Sequence, residues 1–345
     1  MTEDANNDRV LVVKGIAGMG NRMLSVLTAM LYSRLTSRRL VVDWRDSLYS
    51  EDSSNIFFSF FQTQADDLSR ELLSCDSVAP AVWQGNLDKS INQLASLQGT
   101  KNLNDPRDWE RLSIMPAKLD YQERVLVLWT FFENIQSLRK HFTGPFAPLR
   151  RKTNVDILKD LLKNELQLQT AIQKCVEDFK RHHFTTYTIG VHVRNTDKIT
   201  NLSAINKKLD RVLKEFAGAK IFLATDSHVI QNLFKKRYGR IIVTNKWYPE
   251  SEIPIFLSPD CPNRVESAIE ALVDMYLLAE CDDLIFDASS AFGYVASLLS
   301  RTPDSRKFNV QRSRVIPSHI RYALFVQMQI GKIELIRRKL WFGGA

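Results

Sequence analysis

A short apolar stretch ends in a cluster of anion-binding side chains at residues 188–198, Thr188-Ile-Gly-Val-His-Val-Arg-Asn-Thr-Asp-Lys198. Ile189, Val191 and Val193 alternate with Gly190 and His192, the period-two pattern of a β-strand. Arg194, Asn195, Asp197 and Lys198 then arrive together with Thr196. Arginine offers phosphate oxygens a planar fork and lysine a point charge. In an open parallel sheet, ligands bind just beyond the carboxyl ends of the strands, so these donors stand where an anion would be held. The competing reading is a solvated loop in which Asp197 pairs with Arg194 or Lys198. His192, on the strand itself, reads either as a partly buried histidine or as a hydrogen-bond donor to a ligand base.

Three other places could join that chemistry. The loop Gly15-Ile-Ala-Gly18-Met-Gly20-Asn21 allows close backbone approach to a ligand, with Asn21 and Arg22 opening a helix as donors toward a cleft. A plain strand-to-helix turn is the alternative. The glycine order differs from the G-x-G-x-x-G of dinucleotide sites, although Asp43 could mimic their acidic residue. Ser289-Ser290-Ala-Phe292 lies between a strand and a helix, where a serine can cap the helix or where free amides can meet a pyrophosphate. Asp274 sits in an apolar helical run and needs a partner; an arginine or the N–H groups of a guanine edge would serve. No metal-ligand motif, Asp-x-Asp pair or nucleophile elbow is present, so no metal and no resident cofactor are expected.

Alternating strands and helices must position these groups. A strand at 9–14, a helix at 22–36 and a strand at 39–43 form a β-loop-α-β start, the mark of a parallel sheet. Residues 52–120 are hard to read. A third strand is expected at 124–132 and one or two helices over 155–181. The later pattern is cleaner: strands at 188–193, 220–224, 240–244 and 283–286, with helices at about 204–217, 227–237 and 264–280. The expected fold class is α/β, with two Rossmann-like domains whose parallel sheets face a cleft. Their expected limits are 1–175 and 186–325, with a tail at 326–345 that packs back on them.

The chain has 345 residues, of which 47 are Lys or Arg and 39 Asp or Glu, a net charge of +8. That balance favours a polyanionic small ligand or an acidic surface; nucleic acid is not expected as a partner. Four scattered cysteines without a CxxC pair read as reduced thiols. The first ten residues lack the pattern of a secretion signal, and no run reaches the ~18 apolar residues of a membrane helix, so a cytoplasmic address is expected. The tail Ile330–Trp341 mixes apolar and basic groups. Packing across the domains is preferred there to peripheral membrane contact.

Taken together, the segments resemble one family. Gly190-Val-His-Val-Arg194-Asn-Thr-Asp-Lys198 is similar to the HVRxTDK segment of the α1,6-fucosyltransferases of N-glycan cores. Ser267–Cys281, Ser289–Phe292 and Val41-Val-Asp-Trp-Arg-Asp-Ser47 are closer to the rhizobial NodZ fucosyltransferases, and Gly18-Met-Gly-Asn21 resembles the GxGN loop of protein O- and α1,2-fucosyltransferases. The resemblance implies a GT-B fold and metal-independent, inverting transfer of fucose from GDP-fucose to a glycan, lipid-linked sugar or protein. It implies that Arg194 holds the β-phosphate and that His192 and Asp274 read guanine. Ser289, Ser290 and Phe292 would line the pyrophosphate pocket, with Asp226 close to the nucleotide and Gly18, Gly20 and Asn21 contributing from the first domain. Asp197 and Lys198 belong to the same catalytic segment.

Two departures matter. The core α1,6-enzymes carry a glutamate after the TDK segment, whereas Ile199–Lys208 contains no carboxylate. Asn195 replaces the second arginine of their HVRR pair. Asp46 is one candidate base, beside an acid from 52–150 or a dissociative transfer with little base assistance. A transferase using another GDP-sugar, or a non-catalytic GDP-sugar-binding protein, stands as the alternative.

Overall fold

The computed structural model describes residues 9–52, 54–196, 200–250 and 253–311. In chain order the first part comprises β1 (Val10–Lys14), α1 (Met19–Leu35), β2 (Arg39–Asp43), α2 (Phe57–Phe60), β3 (Phe61–Gln62), α3 (Arg70–Leu73), β4 (Val78–Ala79), α4 (Ile91–Leu97), α5 (Pro106–Leu112), β5 (Val125–Leu128) and α6 (Ile135–Leu138). Next come α7 (Asn154–Glu165), β6 (Gln167–Leu168) and α8 (Thr170–His183). The second part is β7 (Thr188–Val193), α9 (Leu202–Glu215), β8 (Lys220–Thr225), α10 (His228–Tyr238), β9 (Ile241–Ile242), α11 (Arg264–Ala279), β10 (Asp283–Phe286), α12 (Ala291–Leu299) and β11 (Lys307–Asn309).

Two parallel sheets organise these elements. The first has the order β2-β1-β5-β4 and the second β11-β10-β7-β8-β9. In each the order reverses beside the strand that carries the candidate loop, between β1 and β5 and between β7 and β10. Such reversal points open a crevice at the carboxyl edge, because successive crossovers leave in opposite directions. Strands β1 and β7 are buried along their whole length. They are therefore rich in β-branched residues on both faces, as covered parallel strands must be.

The helices facing each other across the two sheets share one apolar cluster. It joins Met23, Leu27 and Met30 of α1, Leu158 and Leu161 of α7, Leu272 and Met275 of α11, and Val295 and Leu298 of α12. The two halves are thus held by a common core. At its edge, a Cβ on Gly20 would lie 2.5 Å from the carbonyl carbon of Ala291 and 2.6 Å from the amide of Phe292. Gly20 is required by this contact between the N-termini of α1 and α12.

Several expected boundaries shift for local reasons. Helix α1 starts at Met19, since Gly18 holds the extended conformation of an N-cap. The third strand stops at Leu128; the Trp129 amide turns to Ser113 Oγ and its indole N–H to the Leu112 carbonyl. The 155–181 segment is two helices, split by β6, which pairs antiparallel with β3. Strand β9 spans two residues, freeing Thr244 and Lys246 to turn toward α11. Among the described residues no helix is long and apolar enough to cross a membrane, and all four cysteines are free thiols.

Candidate active site

A cleft of about 1130 Å³, open mouth included, lies between the carboxyl edges of the two sheets. It brings together Gly18, Gly20 and Asn21 from the first half with His192, Arg194, Asp226, Asp274, Ser290 and Phe292 from the second. Residues more than 270 positions apart in sequence thus line one cavity.

Arg194 leaves β7 at the reversal point and lines the floor. Its Nε lies 3.1 Å from Asp226 Oδ2, and its guanidinium lies 5.9 Å from the Phe256 ring. Asp226, just past β8, also accepts the Asn195 amide at 2.9 Å and the Thr196 hydroxyl at 2.6 Å. Its carboxylate therefore fixes both the arginine and the loop that follows it. Thr200 closes that turn through hydrogen bonds to both the amide and the carbonyl of Arg194. Asp197 and Lys198 lie outside the described residues.

His192 is buried, and its ring stacks on Phe292 with centroids 5.1 Å apart and planes 18° apart. Burial, reinforced by the Arg194 charge, pushes its pKa down to about 3, so the imidazole is neutral at physiological pH. Its Nδ1 has no hydrogen-bond partner in the protein and faces Gly293, where a Cβ would lie 2.8 Å away. A buried polar nitrogen without a partner is costly.

Ser290 is the N-cap of α12, but its side chain makes no capping bond to the helix. Helix α1 likewise begins at Gly18 without a side-chain cap. Two helix N-termini therefore meet at the cleft without a cap from their own N-cap side chains, and each end carries about half a positive charge. Ser289 is exposed just outside the lining, and its amide donates to Asp287 at 2.8 Å. Asn21 directs its side-chain amide to the Phe131 carbonyl at 2.7 Å, joining the loops beyond β1 and β5.

Three expected donors or acids face elsewhere. Arg22 turns away from the cleft, wholly buried, and forms an ion pair with Asp46. Its Nε donates to the Ala17 carbonyl at 3.0 Å, and its guanidinium packs 4.5 Å over the Tyr49 ring. Asp46 also accepts the Leu48 amide at 2.9 Å and does not line the cleft. Its carboxylate props the glycine loop from behind. Asp43 pairs with Lys14 and Arg45, which leaves it no dinucleotide ribose to bind.

Sequence reasoning missed three lining residues. Lys246 pairs with Asp274 deep in the cleft; their side chains are 8% and 3% exposed. Thr244 Oγ1 donates to the other carboxylate oxygen at 2.6 Å. Burial opposes the Lys246 charge, but Asp274, Tyr248 and Asp226 together outweigh it and the pKa is raised. The partner that Asp274 needed is therefore a lysine. Its placement two residues past the strand expected at 240–244 is a signal that could have found it. Tyr49 and Phe256, from opposite halves, stack across the mouth with centroids 6.0 Å apart. No spacing rule links them.

The family model described as Nodulation protein Z (NodZ) matches residues 7–87 and 151–320. The chain belongs to the NodZ family. Its fold is the GT-B fold of the fucosyltransferase structures on which it superposes. Nodulation protein Z of Bradyrhizobium diazoefficiens is 24% identical over 321 residues, covering 87% of this chain and 81% of that protein. The Azorhizobium caulinodans protein is 23% identical, covering 84% and 89%. Among solved structures, NodZ α-1,6-fucosyltransferase soaked with GDP-fucose superposes with a TM-score of 0.59 at 22% identity, covering 85% of this chain and 92% of that one. A FUT1 variant of Arabidopsis thaliana in complex with GDP gives 0.57 at 16% identity, covering 90% and 73%. The family model leaves residues 88–150 unmatched.

Proposed function

We propose that the chain transfers L-fucose from GDP-fucose to a hydroxyl of a sugar or protein acceptor, with inversion and without a metal. The observation that carries this reading is the meeting of Arg194, His192 and the α12 N-terminus where the strand order of the second sheet reverses. In glycosyl transfer the bond from the sugar's anomeric carbon to the β-phosphate oxygen breaks, and negative charge grows on that phosphate. Preorganised donors aimed at the growing charge lower the barrier. Arg194, held by Asp226, and the N-termini of α1 and α12 are such donors. Neutral His192 and Asp274 would take the base, Ser289, Ser290 and Phe292 the pyrophosphate side, and Asp197 and Lys198 the loop beyond Arg194. Residues 1–175 would serve the acceptor and 186–325 the donor.

The acceptor oxygen then bonds to the anomeric carbon from the opposite face, and its proton leaves to solvent or to the departing phosphate. No base is placed on Asp46, whose carboxylate is committed to Arg22. A dissociative transfer needs little base assistance. The test is calorimetric titration of GDP, GDP-fucose, GDP-mannose and UDP without added metal, followed by assay of fucose release and of transfer to glycan and peptide acceptors. GDP and GDP-fucose are expected to bind in preference to UDP, with fucose release about 10²–10³-fold slower in Arg194→Ala. A wild-type protein that ignores GDP would sink the proposal. Tight GDP binding with neither release nor transfer of fucose would make the chain a binding protein.

A further inference from the structure

Lys246, buried in an ion pair with Asp274, lines the cleft and has no role in the reading above. Both side chains line the cavity, and both come from the second half. A carboxylate has about four acceptor sites and an ammonium three donors. Thr244 and Lys246 each occupy one site on Asp274, which leaves acceptor capacity on the carboxylate. Tyr248 packs beside the ammonium, with its ring 5.4 Å from Nζ. The pair therefore presents a donor directly beside an acceptor, buried and held in register.

A purine with a 6-oxo group matches that order. Guanine offers an acceptor at O6, then donors at N1 and N2 along one edge. Adenine reverses the first two, with a donor at N6 and an acceptor at N1. We infer that Lys246 is a specificity-determining residue for the donor nucleotide, giving an N–H to guanine O6 while Asp274 accepts from N1 and N2. The inference rests on the proposed GDP-sugar reading and adds a residue to it. The raised pKa of Lys246 keeps the donor charged at neutral pH, with Asp274, Tyr248 and Asp226 together outweighing the burial that opposes the charge. Adenine meets donor against donor and acceptor against acceptor, so a mismatched base leaves buried groups unpaired.

The experiment compares GDP with 6-thio-GDP, which replaces O6 by a weak acceptor, and with IDP, which lacks the N2 amine. Calorimetry on the wild type is expected to favour GDP over 6-thio-GDP on the order of tenfold, the worth of one charged hydrogen bond. Lys246→Met should erase that ratio and leave the GDP-to-IDP ratio unchanged. Survival of the GDP-to-6-thio-GDP ratio in Lys246→Met overturns the inference and assigns the lysine to the phosphates. Loss of both ratios also overturns it, since Lys246 would then act only by holding Asp274. Equal wild-type affinity for GDP and 6-thio-GDP overturns it directly.

Removing the lysine leaves a buried carboxylate unpaired, so thermal unfolding is measured alongside. If Lys246→Met does not fold, the neutral double variant Lys246→Met/Asp274→Asn is compared with Asp274→Asn alone. The single variant should keep the 6-thio ratio and the double variant lose it; a ratio kept in both overturns the inference. Failure of the wild type to bind GDP at all strikes the proposed function instead, and is told apart by that first titration.

Discussion

The two halves of the cleft each bury an ion pair close to the ligand space, yet they use it in opposite ways. In the first half, Arg22 and Asp46 lie behind the glycine loop, sealed by Trp44 and Tyr49. In the second, Lys246 and Asp274 face the cavity. A buried pair contributes little net stability, but breaking it strands a charge. The first pair therefore works as a brace for a loop that has to stay in one conformation. The second keeps hydrogen-bonding capacity aimed at a ligand. Burial and charge alone do not separate the two roles; the direction each pair faces does.

That contrast can be broken most forcefully at the brace. Asp46→Ala should cost about 3–5 kcal/mol of stability by leaving Arg22 unpaired, read as a lower denaturation midpoint, while the folded fraction still binds GDP. A variant that is as stable as wild type but inactive would instead make Asp46 the base. On the other side, Arg194→Ala should lower the rate of fucose release by about 10²–10³-fold, the effect of removing one preorganised donor, with an unchanged melting temperature. If melting falls instead and the rate holds, the arginine is a brace as well.

Gly20→Ala probes the seam. Alanine favours a helix over glycine by about 0.8–1 kcal/mol. Its Cβ, however, would meet Ala291 backbone at 2.5 Å, and overpacking costs about 1–3 kcal/mol. The clash is against backbone and should win, giving a net loss of stability in urea titration.

The last prediction concerns His192. Its folded pKa of about 3 lies below the ordinary 6.5, so its contribution is present above 6.5 and is lost as pH falls toward 3. The slope is about 1.4 kcal/mol per pH unit in that window. His192→Phe, which keeps a ring on Phe292, should flatten the acid limb of stability between those limits. An unchanged limb would show that other groups govern it.

Much of the scaffold was legible because parallel strands covered on both faces need unbroken apolar runs. Val10–Lys14, Arg39–Asp43, Thr188–Val193 and Asp283–Phe286 all read directly from sequence. The region 52–120 did not, because its elements are short and are held by tertiary pairing. Val78–Ala79 joins the sheet only through β5, and Phe61–Gln62 only through Gln167–Leu168. At the site, Arg194, His192 and Asp226 were visible as polar groups at strand ends. Lys246 was not, since its importance comes from Asp274 on another element. Arg22 was read as facing the cleft because a helix start suggests outward donors, whereas Asp46 and the Tyr49 ring draw it inward. Gly20 was read as room for a ligand, and the neighbour that needs the room is a helix end.

That missing side chain has an electrostatic consequence. It lets two helix ends of the same sign, one from each half, stand in contact with no capping group between them. In the empty protein such ends repel. An anion seated between them turns that repulsion into attraction toward a shared guest. Nucleotide affinity and adhesion of the halves are then one linked equilibrium, so whatever tightens the first must stiffen the second.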